Sequence, residues 1–316
     1  MIDVEIFKDL NDKFDLAVYK VQELTGGYLN KKYNLLTNKG SFLLKVYSNK
    51  RYNKNKILFV ESGLYRQHEL HKLGIKCPKL HVYNTIIQHV KSYNYVLMDF
   101  IKGTHKDYES ITEQELYDLG ELTGLMHHYF KRFPKAGEKF DIFANFQRLK
   151  EANKALLGEL DNRKVNEQYR TIVYQQHEII NNITPNFLAK VPIGFSHADY
   201  ASDNVIFNKR KVSAIIDFDR CRYTSKWQDI GRALLSYTLK DKHLNNTFIS
   251  SFINGYNKHN CLSFQDALNS LRYTFIHESD WWIKEQNFNT KPNDKVSRFV
   301  YEMQFLADNF FNLSKN

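Results

Sequence analysis

Between residues 17 and 47 apolar and polar positions alternate, in the runs AVYKVQEL, KYNLLT and SFLLKVY. Alternation with a period of two sends successive side chains to opposite faces of a sheet, which predicts three strands. The turn Asn38-Lys39-Gly40 joins the last two as a hairpin. The period then lengthens: NKILFVESGLYRQHELHKLG carries apolar residues at spacings of three and four and ends at Gly74, with Pro78 just beyond. That is a helix with its usual stop signal. KLHVYNT and YNYVLMDFI supply two more strands, so the first hundred residues read β-β-β-α-β-β.

Past Gly103 the texture is helical. TEQELYDLGELTGLMHHYF offers Thr112 as N-cap and sets Leu116, Leu119, Leu122 and Met126 on one stripe. NEQYRTIVYQQHEIINNI is a further helix, and helices again fill the chain from about 229 onward. No internal repeat or low-complexity linker interrupts the sequence. A boundary at Phe100 to Gly103 therefore divides a strand-rich part, 1–101, from a helix-rich part, 102–316.

Composition adds limits. The 316 residues are 42% hydrophobic and 25% charged, the mix of a soluble globular protein with a sizeable core. Cys77, Cys221 and Cys261 lie far apart without a CxxC pair, so reduced thiols in a cytoplasmic protein are expected. No signal peptide or membrane span is evident. The net charge of +10 is spread among acidic residues, and neither a Cys/His finger nor an RNP-like motif accompanies it. A dedicated nucleic-acid or membrane binder is thus not expected, whereas a polyphosphate ligand suits a positive field. The oligomeric state is not encoded in any of these features.

One stretch resists a purely structural account. GFSHADYASDNVIFNKRKVSAIIDFDR, residues 194 to 220, crowds Asp199, Asp203, Asp217 and Asp219 beside two short apolar strands. Asp is depleted in strands and rarely buried without a partner. With the hairpin centred between Arg210 and Lys211, Val205 faces Ile216 and Asn204 faces Asp217. Opposed residues have Cβ atoms roughly 5 Å apart. An amide oxygen and a carboxylate at that spacing suit Mg²⁺, which takes a few protein oxygens and completes its shell with phosphate and water.

HADYASDN fits the H-x-D-x-x-x-x-N pattern of kinase catalytic loops, and IIDFD fits the metal-binding segment that follows it. With QDIGRALL downstream, the chain resembles the aminoglycoside phosphotransferase and choline kinase superfamily of small-molecule kinases; Ala198 stands where that family usually has Gly. YVLMDFIKGT resembles the family's hinge and LGELTGLMHH its following helix. The resemblance implies an α+β, two-lobed protein-kinase-like fold: a small β-rich nucleotide-binding lobe and a larger, mainly helical lobe for catalysis and acceptor binding. The implied reaction moves the γ-phosphoryl group of ATP or GTP, with Mg²⁺, to a hydroxyl of a small molecule.

Carried over residue by residue, Asp199 is the catalytic aspartate and Asn204 and Asp217 are the metal ligands. Lys45, a lone ammonium in the apolar strand FLLKVY, holds the α/β-phosphates. Its partner would be Glu61 or, one register further, Glu69. Gly26 and Gly27 form the nucleotide loop, although the full G-x-G-x-x-G is missing. Asp99 and Ile101 present backbone groups to the base, with Met98 behind. Asp219 is open between a water-mediated second metal and a turn. Asp229 is read as a helix cap that also braces the catalytic loop, and His197 as a loop residue holding backbone shape. Acceptor recognition is assigned to Tyr273, Glu278, Asp280, Trp281 and Trp282, since aromatic faces beside carboxylates attract an ammonium group; helix packing is the plain alternative for the two Trp. The site pattern also allows a catalytically silent nucleotide-binding module. A protein Ser/Thr kinase is the third reading, against which stands the short run from IIDFD to QDIGRALL.

Overall fold

The structure is a computed structural model that describes every residue except 1, 25–29, 49–50, 136, 161–162, 290–291 and 315–316. Gly26 and Gly27 lie outside the described residues. The chain divides into two compact units, 1–105 with 203–222, and 106–202 with 223–316. The segment 203–222, assigned from sequence to the helical part, therefore joins the first unit.

In the first unit, helix α1 (Val4–Phe14) precedes strands β1 (Val18–Glu23), β2 (Lys31–Thr37) and β3 (Gly40–Tyr47). Helix α2 (Lys54–Lys72) follows, then β4 (Leu80–His81), β5 (Gln88–Val90) and β6 (Tyr93–Asp99). The antiparallel sheet runs β1-β2-β3-β6-β4, with β5 also on β6. Its two faces follow from period-two alternation. Tyr33, Leu35, Leu44, Tyr95 and Leu97 pack with Ile6 and Leu10 of α1, while Tyr47, Val96 and Met98 pack with Ile57, Val60 and Leu64 of α2. Helix α1 was not foreseen. Asp3 caps it through a 3.0 Å bond from the Glu5 amide, and it stops where Asp15 turns left-handed at φ 54°. Helix α2 ends as predicted, with Gly74 at φ +86°.

The hairpin of β8 (Val205–Asn208) and β9 (Lys211–Ile215) departs from the expected register. Lys209 and Arg210 both have positive φ, the signature of a two-residue primed turn. Asn208 consequently pairs with Lys211, and a register shift between Ile206 and Phe207 then brings Val205 opposite Ile215. The bond from the Ile216 amide to the Asn204 carbonyl, 2.9 Å, closes the mouth one residue earlier than the predicted Asn204–Asp217 pair. Backbone bonds fix the hairpin within its unit: Phe207 exchanges a 2.9 Å pair with Thr104, and Ile215 donates to Lys76.

The second unit contains α3 (Glu113–Phe130), α4 (Ile142–Leu160), α5 (Glu167–Asn182), α6 (Pro185–Ala189) and strand β7 (Ile193–Ser196), paired with β10 (Arg222–Ser225). Then come α7 (Lys226–Thr238), α8 (Asn246–Tyr256), α9 (Phe264–Trp282), α10 (Gln286–Asn289) and α11 (Asp294–Asn309). Thr112 does cap α3, in a reciprocal box with Glu115. Leu116, Leu119, Leu122 and Met126 are buried as their stripe predicts. Helices α3 and α8 approach so closely that a Cβ on Gly120 would lie 2.0 Å from the Phe252 carbonyl. Among the described residues no helix is long and apolar enough to cross a membrane, and all three cysteines are free.

Candidate active site

Two arrangements, one in each unit, hold the chemistry-bearing residues. In the first unit Lys45 leaves β3 on the α2 face, and its side chain is 3% exposed. Its ammonium lies 2.7 Å from Asp217 Oδ1 and 2.6 Å from Asp219 Oδ2. Asp217 stands just past β9 in a left-handed conformation, φ 67° and ψ 57°, which turns the chain sharply before the short 3₁₀ segment Phe218–Arg220. That turn is pressed against α2 at Gly63, where a Cβ would meet the Phe218 carbonyl at 2.4 Å. Lys32, opposite Lys45 in the β2–β3 register, donates to Asp217 Oδ2 at 2.9 Å. Tyr47 donates to Asp219 Oδ1 at 3.0 Å.

The charges settle unequally. Burial opposes the Lys45 charge, but Asp217 and Asp219 overcome it and raise its pKa. Burial likewise opposes ionisation of Asp217, and Lys45 and Lys32 outweigh it, holding that carboxyl well below the ordinary range. Asp219 is pushed up by burial and by its like-charged neighbour, against the pull of Lys45. Asp217 is thus held ionised by its two lysines, the hard oxygen donor a divalent cation requires.

Glu61 is not the partner of Lys45 here. Lys45 is already satisfied by two aspartates, Glu61 has no ion pair or hydrogen bond among the described residues, and Glu69 pairs with Lys72 at 2.8 Å. The 218–220 turn, wedged against α2, supplies the counter-charge instead. Near the end of β6, Met98 is buried on the α2 face. The Asp99 amide donates to the Lys79 carbonyl at 2.9 Å and is not open to a base. The Asp99 side chain sits 2.7 Å from His81 Nε2, and the amide of half-buried Ile101 makes no hydrogen bond among the described residues.

In the second unit the loop after β7 is fastened from below. Asp229, fully buried on α7, accepts from the His197 amide at 2.7 Å and the Ala198 amide at 2.8 Å. His127 of α3 approaches the same carboxylate at 3.0 Å through Nε2, and its Nδ1 lies 3.0 Å from the Tyr256 hydroxyl. Burial lowers the His127 pKa against the pull of Asp229, so the ring is neutral near pH 7. Its proton then sits on Nε2 toward Asp229, and Tyr256 donates to Nδ1. Gln228 holds the Ala198 carbonyl, and Arg298 of α11 donates to Ser202 at 2.8 Å. Asp199, half-buried, is the next residue after this clamp. Asp229 braces the loop as expected but does not cap α7; Ser225 does, accepting from the Trp227 amide. His197 is buried with its ring edge-on to Tyr200.

Ala198 has φ +62°, a left-handed backbone that costs a residue with a Cβ roughly 1 kcal/mol. Ala198→Gly is expected to stabilise the protein by roughly 0.5–1 kcal/mol in urea unfolding, with turnover retained. A loss of stability on this substitution would contradict the assigned backbone.

The residues assigned to the acceptor do not gather into one pocket. Glu278 accepts from Arg232 at 2.9 Å and from the Trp282 indole at 3.2 Å, and Arg232 also holds Glu302. Trp282 stacks on Phe299 with centroids 4.1 Å apart. Tyr273 is buried against Trp227 and stacked on His277. These three residues are consumed by packing among α7, α9 and α11. Asp280, which accepts from Gln176 at 3.2 Å, and Trp281, 47% exposed, keep surface for a ligand.

A sequence model of the phosphotransferase enzyme family matches residues 20–262. The chain belongs to that family. Among solved structures this phosphotransferase resembles an ADP-bound aminoglycoside phosphotransferase, APH(2'')-Ib, at 17% identity and a TM-score of 0.62, covering 98% of this chain and 99% of that one. It resembles a microcompartment-associated aminopropanol kinase at 15% identity and a TM-score of 0.60, covering 98% and 97%. Choline kinase from Cryptosporidium parvum matches at 15% identity and a TM-score of 0.58, covering 92% and 90%. No curated protein matches. The phosphotransferase therefore has the α+β, protein-kinase-like fold, with a β-rich N-terminal lobe and a larger helical lobe.

Lys32, Tyr47, His127, Tyr256 and Arg298 were not singled out from the sequence. Lys32 was within reach. The two-residue turn Asn38-Lys39 fixes Thr37 opposite Gly40, and counting back along both strands sets Lys32 opposite Lys45.

Proposed function

We propose that this phosphotransferase moves the γ-phosphoryl group of a nucleoside triphosphate, with Mg²⁺, to a hydroxyl of a small amine-bearing molecule. The observation that carries the reading is the buried Lys45–Asp217 pair: an ammonium fixed in a strand, beside an ionised carboxylate on a strained turn. Lys45 holds α/β-phosphate oxygens, and the Ile101 amide meets the base. Asp217 and Asn204 would hold Mg²⁺, whose bound form neutralises phosphate charge. Asp199 receives the acceptor hydroxyl and takes its proton, on a loop whose shape Asp229 sets.

An amine-bearing acceptor is supported by the company the fold keeps, since the similar structures are named for aminoglycosides, aminopropanol and choline. Asp280 and Trp281, adjacent on α9, offer a carboxylate and a partly exposed aromatic ring, the pair of groups that attracts an ammonium. A screen of phosphorylation with ATP and with GTP, across choline, ethanolamine, homoserine, methylthioribose, aminoglycosides and macrolides, tests both halves. Turnover confined to amine-bearing alcohols is expected. Turnover only on neutral sugars would discard the amine, and nucleotide binding without turnover on any acceptor would discard the transfer.

A further inference from the structure

Asp217 carries an ammonium group on each oxygen, Lys45 on Oδ1 at 2.7 Å and Lys32 on Oδ2 at 2.9 Å. The two lysines are directly opposed across β2 and β3, so both side chains leave the same sheet face from Cβ atoms roughly 5 Å apart. They are not equivalent. Lys45 is 3% exposed and bound by a second carboxylate, Asp219. Lys32 is 22% exposed, and Asp217 is its one carboxylate partner among the described residues. Stripping a buried ammonium of its counter-ion is heavily penalised, whereas a partly solvated lysine gives up an ion pair at small cost.

A divalent cation on Asp217 needs a carboxylate oxygen and repels any ammonium beside it. Of the two oxygens, the one held by Lys32 is the one that yields. We propose that Lys32 is a tethered counter-ion of Asp217 which a divalent cation displaces, and which then binds a phosphate oxygen of the nucleotide. The inference rests on Asp217 being a metal ligand. Its four-carbon stem and three donors let the Lys32 ammonium change partners without moving β2.

The two roles give effects of opposite sign. Lys32→Met removes the competing charge, so Mn²⁺ should bind the protein alone roughly three- to tenfold more tightly in an electron paramagnetic resonance titration. With Mg²⁺ saturating, so that Asp217 is occupied by metal, the same variant should bind ATP more weakly by calorimetry, because a phosphate partner is lost. Lys32→Arg, which keeps the cation, should follow the unmodified protein in both. Either affinity unchanged in Lys32→Met, or either shift reversed, overturns the inference, provided Asp217→Asn abolishes Mn²⁺ binding. Mn²⁺ binding that survives Asp217→Asn removes the metal-site reading itself, and this inference with it.

Discussion

Asp199→Ala is expected to lower kcat by about 10²–10⁴-fold while leaving nucleotide binding and the unfolding midpoint close to those of the unmodified protein. A carboxylate is by nature a weak base toward an alcohol, so the value of Asp199 cannot lie in pulling a proton early. The transition state of phosphoryl transfer is loose, and aiming the hydroxyl along the line of displacement is the larger task. Asp199 is suited to that task by what precedes it. The two amides before it are clamped by one buried carboxylate, and its immediate neighbour Ala198 is fixed in a left-handed turn. The loss should therefore fall on kcat and kcat/KM alike, since the interaction is made with the reacting hydroxyl. A residual rate within tenfold of the unmodified enzyme would take the catalytic role away from Asp199.

What could be read from the sequence follows from what kind of information each feature carries. The sheet and α2 announce themselves through period and punctuation, and Gly74 ends the helix where its permissive backbone is needed. The H-x-D-x-x-x-x-N and IIDFD patterns are legible because fixed spacing around one hairpin is local geometry. Helix α1 escaped because its short apolar stripe, Ile6 and Leu10, acquires meaning only against the sheet it covers. The hairpin register was missed by two residues at the turn, where Lys209 and Arg210 adopt positive φ without glycine to signal it, and by one at Val205, past the shift at Ile206.

Partners distant in sequence were the hardest to foresee. A lysine in an apolar strand demands a counter-charge, and the sequence says so plainly. Which acid supplies it depends on how a turn near residue 218 packs under α2, and the answer is Asp217 with Asp219, not Glu61. The residues assigned to the acceptor do not gather together for the same reason. Glu278 and Trp282 lie four residues apart on α9 and do touch, yet Arg232 and Phe299 arrive from other helices and consume them.

The second large effect is expected at a residue that touches no substrate. Asp229→Asn should cost about 3 kcal/mol or more of unfolding free energy and roughly 10²-fold in kcat. Asp229 offers two oxygens to three donors, the amides of His197 and Ala198 and the Nε2–H of His127. Asparagine keeps the shape but supplies one acceptor and one NH₂, so at least one of those buried donors must face another donor. A shift of the His127 proton does not resolve the conflict, because whichever oxygen becomes NH₂ is one to which a backbone amide donates. The strain is then relieved through the backbone at 197–198, one residue from Asp199. Thus Asp199→Ala should remove activity at nearly constant stability, whereas Asp229→Asn should lower both together, as urea unfolding and steady-state kinetics on the two variants would show. Full stability in Asp229→Asn alongside lost activity would mean that Asp229 acts on the reactants directly rather than through the loop it holds.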